Sequence, residues 1–277
     1  MRMGIDQSAR PPGAGRLREI FAATELYANK WDSYFDVYER TFARFVGRGI
    51  TFVEVGVDAG GSLLMWKAYF QNARIIGVDV DPAARDLTRY GIEIFIGDQE
   101  SEAFWDEFYK SVGPIDVLLD DGGHHNREQI VTVDHALRHV RNHGVVMVED
   151  VHTSYMRQFL NPARHSFINF AKHLVDSVNS RSPQVDGTGR HRDVVSALEF
   201  HESIVVIHVD RGRAATPTEV ENQGLARSNR ESGPPPALRA RFRFARSIPL
   251  LGRLGALCLT LWDRWRMHQQ LARYFRD

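Results

Sequence analysis

Thiol chemistry is nearly absent from this chain: Cys258 is the one cysteine in 277 residues. A single thiol excludes an intrachain disulfide, a thiolate-rich zinc site and an iron–sulfur cluster, and it suits a reducing cytoplasm. Net charge is also lacking, because 35 Lys and Arg face 35 Asp and Glu. No global field therefore argues for a nucleic-acid partner. The opening stretch MRMGIDQSARPPGAG has no apolar core of the kind a leader peptide carries. No run is long and apolar enough to span a bilayer; the best, 248–262, is short and carries Arg253. Internal repeats are missing, and so is the GxGxxG of dinucleotide-binding folds. What is present, 43% hydrophobic and 25% charged, is the composition of an ordinary globular protein.

The patterning is informative. Residues 1–15, with Pro11, Pro12 and scattered glycines, read as disordered. Over 16–47, apolar and aromatic residues from Leu17 to Phe45 recur at helical spacing and predict a cap of two or three helices. Residues 48–210 then alternate strand and helix. Strands are expected at Ile50, Arg74, Ile92, Pro114 and Gly144, with helices starting near Gly61, Pro82, Ser101 and Arg127. A longer helix is expected from Ser154 to Val178. Two runs, from Val194 and from Ser203, flank His201 and Glu202 at hairpin spacing. The fold class is α/β: a doubly wound, mainly parallel sheet of seven strands with an N-terminal helical cap. Residues 211–236 have linker composition, and 237–277 form a basic amphipathic helical tail.

Ligands of an open parallel sheet sit beyond the carboxyl ends of its strands, so the strand ends carry the chemistry. The first strand ends in VEVGVDAGGS, where Gly56, Gly60 and Gly61 allow a sharp turn and a close approach to a ligand. Glu54 lies within that strand, where an acid is costly unless paired. Asp79 ends the second strand, placed to accept from ribose hydroxyls, and Asp81 reads as the cap before Pro82. Asp98, in GDQ, ends the third and is placed either to accept from an adenine amino group or to cap a helix. Asp120 and Asp121 end the fourth strand, and Glu149 and Asp150 the fifth. Four carboxylates close together repel, and a divalent cation relieves that repulsion. Oxygen ligands favour magnesium, calcium or manganese over zinc. His124, three residues past Asp121, is a usable base at neutral pH. The competing reading is that the acids cap helices and pair with His124 or Arg127.

Taken as an ordered set, NKWDSYFDVYERTF, VEVGVDAGGSLLMWKAYF, GVDVDP, GDQ, DDGGHH and VEDVHTSY resemble the magnesium-dependent sugar O-methyltransferases of antibiotic and glycolipid biosynthesis. Cephalosporin hydroxylase-like proteins are relatives of that family. The match runs from about Glu25 to Asp210. It implies the seven-stranded class I methyltransferase fold, S-adenosylmethionine as methyl donor, Mg2+ as metal and a glycoside as acceptor. Carried over by position, Asp121, Glu149 and Asp150 would hold the metal, with Asp121 and His124 as the catalytic pair and His124 as general base. Glu54, Gly56, Gly60, Ser62, Asp79, Asp98, Gln99 and Asp120 would surround the cofactor. Glu39, His152 and Tyr155 would face the acceptor. Two departures stand out. Gly123 replaces the serine of the family's DDGSH, and Gln71 replaces a proline.

The tail mixes arginines with Leu, Trp and Phe, so it can lie on an anionic membrane surface, pack on the domain or build a homo-oligomer. Burial is the commoner use of such residues, which favours packing or self-association over peripheral membrane contact. Three rival functions share part of the pattern. A catechol-type O-methyltransferase shares fold, cofactor and metal. A non-catalytic cofactor-binding module leaves both acid clusters unexplained. An NAD-dependent enzyme lacks its glycine fingerprint.

Overall fold

Most strand-forming runs are rich in Val and Ile, and each is followed within a few residues by a glycine, an acid or a helix cap. The computed structural model describes residues 15–182, 185, 189–220, 222, 261, 262 and 265. Residues 1–218 and 219–277 form separate compact units, and the first holds the sheet and its helices. The disorder expected for residues before Gly15 lies outside the described residues, as does nearly all of the expected linker and tail.

The strands are β1 (Thr51–Val55), β2 (Arg74–Asp79), β3 (Glu93–Ile96), β4 (Ile115–Asp120), β5 (Val140–Val148), β6 (Val195–His201) and β7 (Ile204–Val209). They form one seven-stranded sheet in the order β3-β2-β1-β4-β5-β7-β6. β7 pairs antiparallel with β5 and β6, and the other pairings are parallel. The chain reverses between β1 and β4, so the switch point where such sheets bind ligands lies at those two tips.

Helices cover both faces. The cap helices α1 (Arg16–Ala23) and α2 (Tyr34–Phe42) share one core with α3 (Gly61–Phe70). Tyr38, Phe42, Trp66 and Phe70 there meet Phe52, Val117, Leu119, Val145 and Met147 of the sheet. The opposite face packs α4 (Glu102–Val112), α5 (Asn126–His139) and α6 (Phe167–Asn179) on Val53, Val55, Leu118, Val146 and Val148. The sheet residues of the two cores alternate along each strand, as the two-residue period requires.

The structure departs from expectation at three elements. The segment from Pro82 to Tyr90 is a 3-10 helix capped by Asp81, whose carboxylate accepts from the Ala83 amide. The helix expected from Ser154 is broken. Two short 3-10 turns occupy 151–155 and 157–159, and α6 begins only at Phe167. Pro162 lacks the N–H a continuous helix needs, and Ser166 restarts the helix by accepting from the Asn169 amide. Finally, β5 begins at Val140, four residues before the expected Gly144, with a register shift against β4.

Candidate active site

The backbone ladder continues past the strand ends. The Asp121 amide donates to the Val55 carbonyl and the Glu149 amide to the Asp120 carbonyl, each at 2.9 Å. Strand alternation then sorts the acids by face. Glu54, Asp121 and Glu149 fall on the cap side, and Asp120 falls on the other. Asp120 is fully buried, with Gln99 Nε2 at 3.3 Å and the Gly122 amide at 3.2 Å donating to its Oδ1. Burial pushes its carboxyl up to about 7.

On the cap side the three acids meet one cation that enters from the N-terminal segment. Lys30, 2% exposed, places its Nζ 3.0 Å from Glu149 Oε2 and 3.8 Å from Glu54 Oε1, and it also pairs with Asp121 Oδ2. Tyr38 donates to the other Glu149 oxygen at 2.5 Å. Burial by itself would lower the Lys30 ammonium, but Glu149, Asp121 and Glu54 outweigh it and hold it well above its ordinary value. Burial raises Glu54 to about 7, with Lys30 pulling the other way. Burial and the neighbouring Asp121 raise Glu149 well above a usual carboxylate. Glu54 also accepts from the Ser62 hydroxyl at 2.9 Å and from the Trp66 indole at 3.3 Å. It therefore fastens the first turn of α3 from below.

Outside this buried cluster lies a second, more open group. Asp121, His124 and Asp150 each offer a ligand atom, and these atoms lie within 4.8 Å of one another. His124 Nε2 is 3.3 Å from Asp150 Oδ2. Two of the three residues hold left-handed backbone, His124 at φ 61° and Asp150 at φ 54°. Such conformations are uncommon away from glycine and concentrate at functional sites. The Thr153 hydroxyl fixes the His124 carbonyl at 3.0 Å, and the His124 Nδ1 is buried with no hydrogen-bond partner. Asp150 Oδ1 accepts from the Tyr34 hydroxyl at 2.5 Å. Two converging, partly open carboxylates suit a divalent cation, and the imidazole beside them suits a base next to it.

Next to the group is a cleft of about 710 Å3 at the β1–β4 switch point. Gly56, Ser62, Asp79, Asp98 and Gln99 line it, five of the eight positions expected around a cofactor. Asp79 accepts from the amides of Val57 at 2.9 Å and Asp81 at 2.8 Å. One oxygen each is engaged, which leaves lone pairs for a diol. Asp98 accepts from the Glu100 amide at 2.8 Å, and the cap of α4 is Ser101 rather than Asp98. Gly56, at φ 80°, has no room for a Cβ, which would strike the Asp121 carbonyl oxygen. Glu54, Gly60 and Asp120 do not line the cleft. They stand behind it: Glu54 under Ser62, Gly60 in the turn against Leu87, and Asp120 under Gln99.

Two other expectations meet a different geometry. Glu39, expected to face the acceptor, has its carboxylate engaged at the start of α1, where it accepts from the amides of Gly15 and Leu17 at 2.8 Å. Glu149, expected beside Asp121 and Asp150 as a ligand, has one oxygen on Tyr38 and the other on Lys30 and stands outside the open group. On the turn after Asp150, His152 is partly open and Tyr155 is exposed; His152 Nδ1 lies 2.5 Å from the Ser203 hydroxyl. Sequence reasoning missed Lys30, Tyr34 and Tyr38. The segment NKWDSYFDVYERTF contains all three, but nothing local distinguishes a lysine or tyrosine bound for the sheet from one bound for water.

Comparison with known proteins bears on this geometry. Residues 53–151 match a family described as a methyltransferase domain. The chain is 32% identical over 224 residues to an 8-demethyl-8-(2-methoxy-alpha-L-rhamnosyl)-tetracenomycin-C 3'-O-methyltransferase of Streptomyces olivaceus, covering 76% of this chain and 57% of that protein. It is 30% identical over 198 residues to the mycinamicin VI 2''-O-methyltransferase of Micromonospora griseorubida, covering 64% of this chain and 47% of that one. The chain thus spans about half the length of the curated relatives it matches. In solved structures, the MycE methyltransferase from the mycinamycin pathway, in complex with Mg and SAH, shares the fold with a TM-score of 0.65. Identity there is 22%, over 78% of this chain and 58% of that one.

Proposed function

We propose, from the match of residues 53–151 to the methyltransferase-domain family, that the chain moves a methyl group from S-adenosylmethionine to a sugar hydroxyl of a glycoside, with Mg2+. The observation that carries the reading is the convergence of Asp121, His124 and Asp150 within 4.8 Å beside the glycine-lined cleft. The acceptors named for the relatives, rhamnosyl tetracenomycins and mycinamicin VI, support a glycoside.

The donor carries its methyl on a positive sulfur, so the leaving group departs neutral and needs no acid. The weak partner is the hydroxyl. Asp121 and Asp150 would hold the metal ion, which when bound polarises that hydroxyl. His124 takes the proton at Nε2 while the oxygen–methyl bond forms and the sulfur–methyl bond breaks. Asp79 would hold the ribose diol of the donor, and Ser62, steadied by Glu54, borders the same cleft. Lys30 pairs with Glu149 and Glu54 and offsets part of the negative charge that would otherwise gather beneath Asp121.

The test is transfer of labelled methyl to a panel of rhamnosides, other deoxysugar glycosides, mannosides and catechols, with Mg2+ and with a chelator. Transfer to a glycoside that stops with chelator and returns with Mg2+ is expected. His124→Ala should lower turnover by about 10²–10⁴-fold with little change in donor affinity. Transfer to catechols alone would replace the acceptor class, and no transfer to any acceptor would leave a cofactor-binding module.

A further inference from the structure

Trp31 is an aromatic residue at the mouth of the site to which the proposed chemistry assigns no task. It follows Lys30, which is held in the buried acid cluster, so its backbone is anchored within one residue of the site. Its indole stacks on the His152 ring, centroids 4.8 Å apart and planes 27° apart. It also meets the Tyr34 ring at 5.5 Å. Both neighbours reach the same atom. Tyr34 donates to Asp150 Oδ1, and His152 Nδ1 lies 3.9 Å from it. The indole thus rests against the two side chains that approach Asp150 Oδ1. Even so, Trp31 keeps 44% of its surface open, whereas Trp66 and Trp105 are fully buried in the cores.

A large ring held rigidly by two neighbours and left open beside a polar site has a use that core packing does not explain. The face of an aromatic ring carries partial negative charge. One face of a pyranose presents C–H groups of partial positive charge, while its hydroxyls point outward at the rim. Such a sugar can lie on an indole and still turn two neighbouring hydroxyls toward Asp121, His124 and Asp150.

We propose that Trp31, propped by His152 and Tyr34, is the acceptor-positioning residue that receives the C–H face of the sugar ring. The inference rests on the reading of the chain as a sugar O-methyltransferase and adds the surface that would bind and orient the sugar.

Steady-state transfer to a rhamnoside by wild type, Trp31→Phe and Trp31→Ala tests it. Trp31→Ala should raise the rhamnoside KM roughly tenfold, with the donor KM within about twofold, and Trp31→Phe should recover much of the loss. A second readout needs no turnover. Rhamnoside added to the complex with S-adenosylhomocysteine should quench tryptophan fluorescence in wild type and much less in Trp31→Phe. Unchanged rhamnoside KM in Trp31→Ala would overturn the proposal, as would equal losses for donor and acceptor, which mean a structural role. If wild type itself transfers methyl to no glycoside, it is the parent reading that has failed.

Discussion

Lys30 shows how much one side chain decides. Its ammonium is the shared counter-charge of Glu54, Asp121 and Glu149, which come from three different strand ends. Removing one partner of a buried charge group leaves the others unpaired, at a cost of about 3–5 kcal/mol. Lys30→Met is therefore expected to lower stability by that order in urea titrations, and Lys30→Met/Glu149→Gln to lose less than the single change. The sign with pH follows from Glu54, raised to about 7 by burial. An acid that is harder to ionise in the folded chain contributes stability at low pH, lost as pH rises through that value. Without Lys30 the acids rise further, so the loss should be larger at pH 8 than at pH 5; an equal loss at both would show that charge is not the cause. The contact at Gly123 also belongs to this scale. A side chain there would strike the Glu128 carboxylate, which accepts from the His125 amide at 2.8 Å and caps α5. The serine of related proteins would require Glu128 to move.

Among the elements, those with a strong internal period were legible and those set by distant partners were not. The five parallel strands and the hairpin stood out as Val- and Ile-rich runs closed by acids, glycines or a two-residue turn. The acid-tipped ends of β4 and β5 were readable for the same reason, and so were Asp79 and the glycine turn. The helix expected from Ser154 fails because its apolar residues keep a helical spacing across Pro162. The contact of Glu39 with the start of α1 was not readable, because it depends on a partner more than twenty residues earlier in the chain. Lys30 needed knowledge of which strand face each acid occupies. A second tether of this distant kind sits at Asp134 of α5. It accepts from Arg190 at 2.6 Å, pairs with His191 at 2.8 Å and also holds Arg138, joining α5 to the segment before β6. Burial would raise this carboxyl, but His191, Arg190 and Arg138 outweigh it and hold it below its ordinary value. A depressed acid gives stability above its unfolded pKa of about 3.9, lost as pH falls through the folded value. Asp134→Asn should lower Tm near pH 7, and the gap from wild type should narrow below about pH 4. A gap constant with pH would mean lost packing instead.

For the whole molecule, donor binding should report on the fold as well as the chemistry. The cleft draws on the turns after β1, β2, β3 and β4 and on the N-terminal segment. S-adenosylhomocysteine at about a hundred times its Kd should stabilise the chain by about 2.7 kcal/mol, seen as a rise in Tm without any acceptor or metal. Absence of that rise would remove the donor from the reading. Among the described residues, no helix is long and apolar enough to cross a membrane. Nearly all of the tail, with the homo-oligomer and membrane roles expected of it, lies outside the described residues.

The cap, set off in the sequence from the domain that follows, is bound to it by more than apolar contact. Gly61 has no Cβ because the carbonyls of Leu26 and Tyr27 occupy that space, and its amide donates to Tyr27 at 3.2 Å. Three residues later the chain delivers Lys30 to the floor of the sheet. A protein engineer who excised 48–210 as a portable catalytic module would therefore carry away three facing negative charges and leave their neutraliser behind. The smallest transplantable scaffold starts upstream of Leu26.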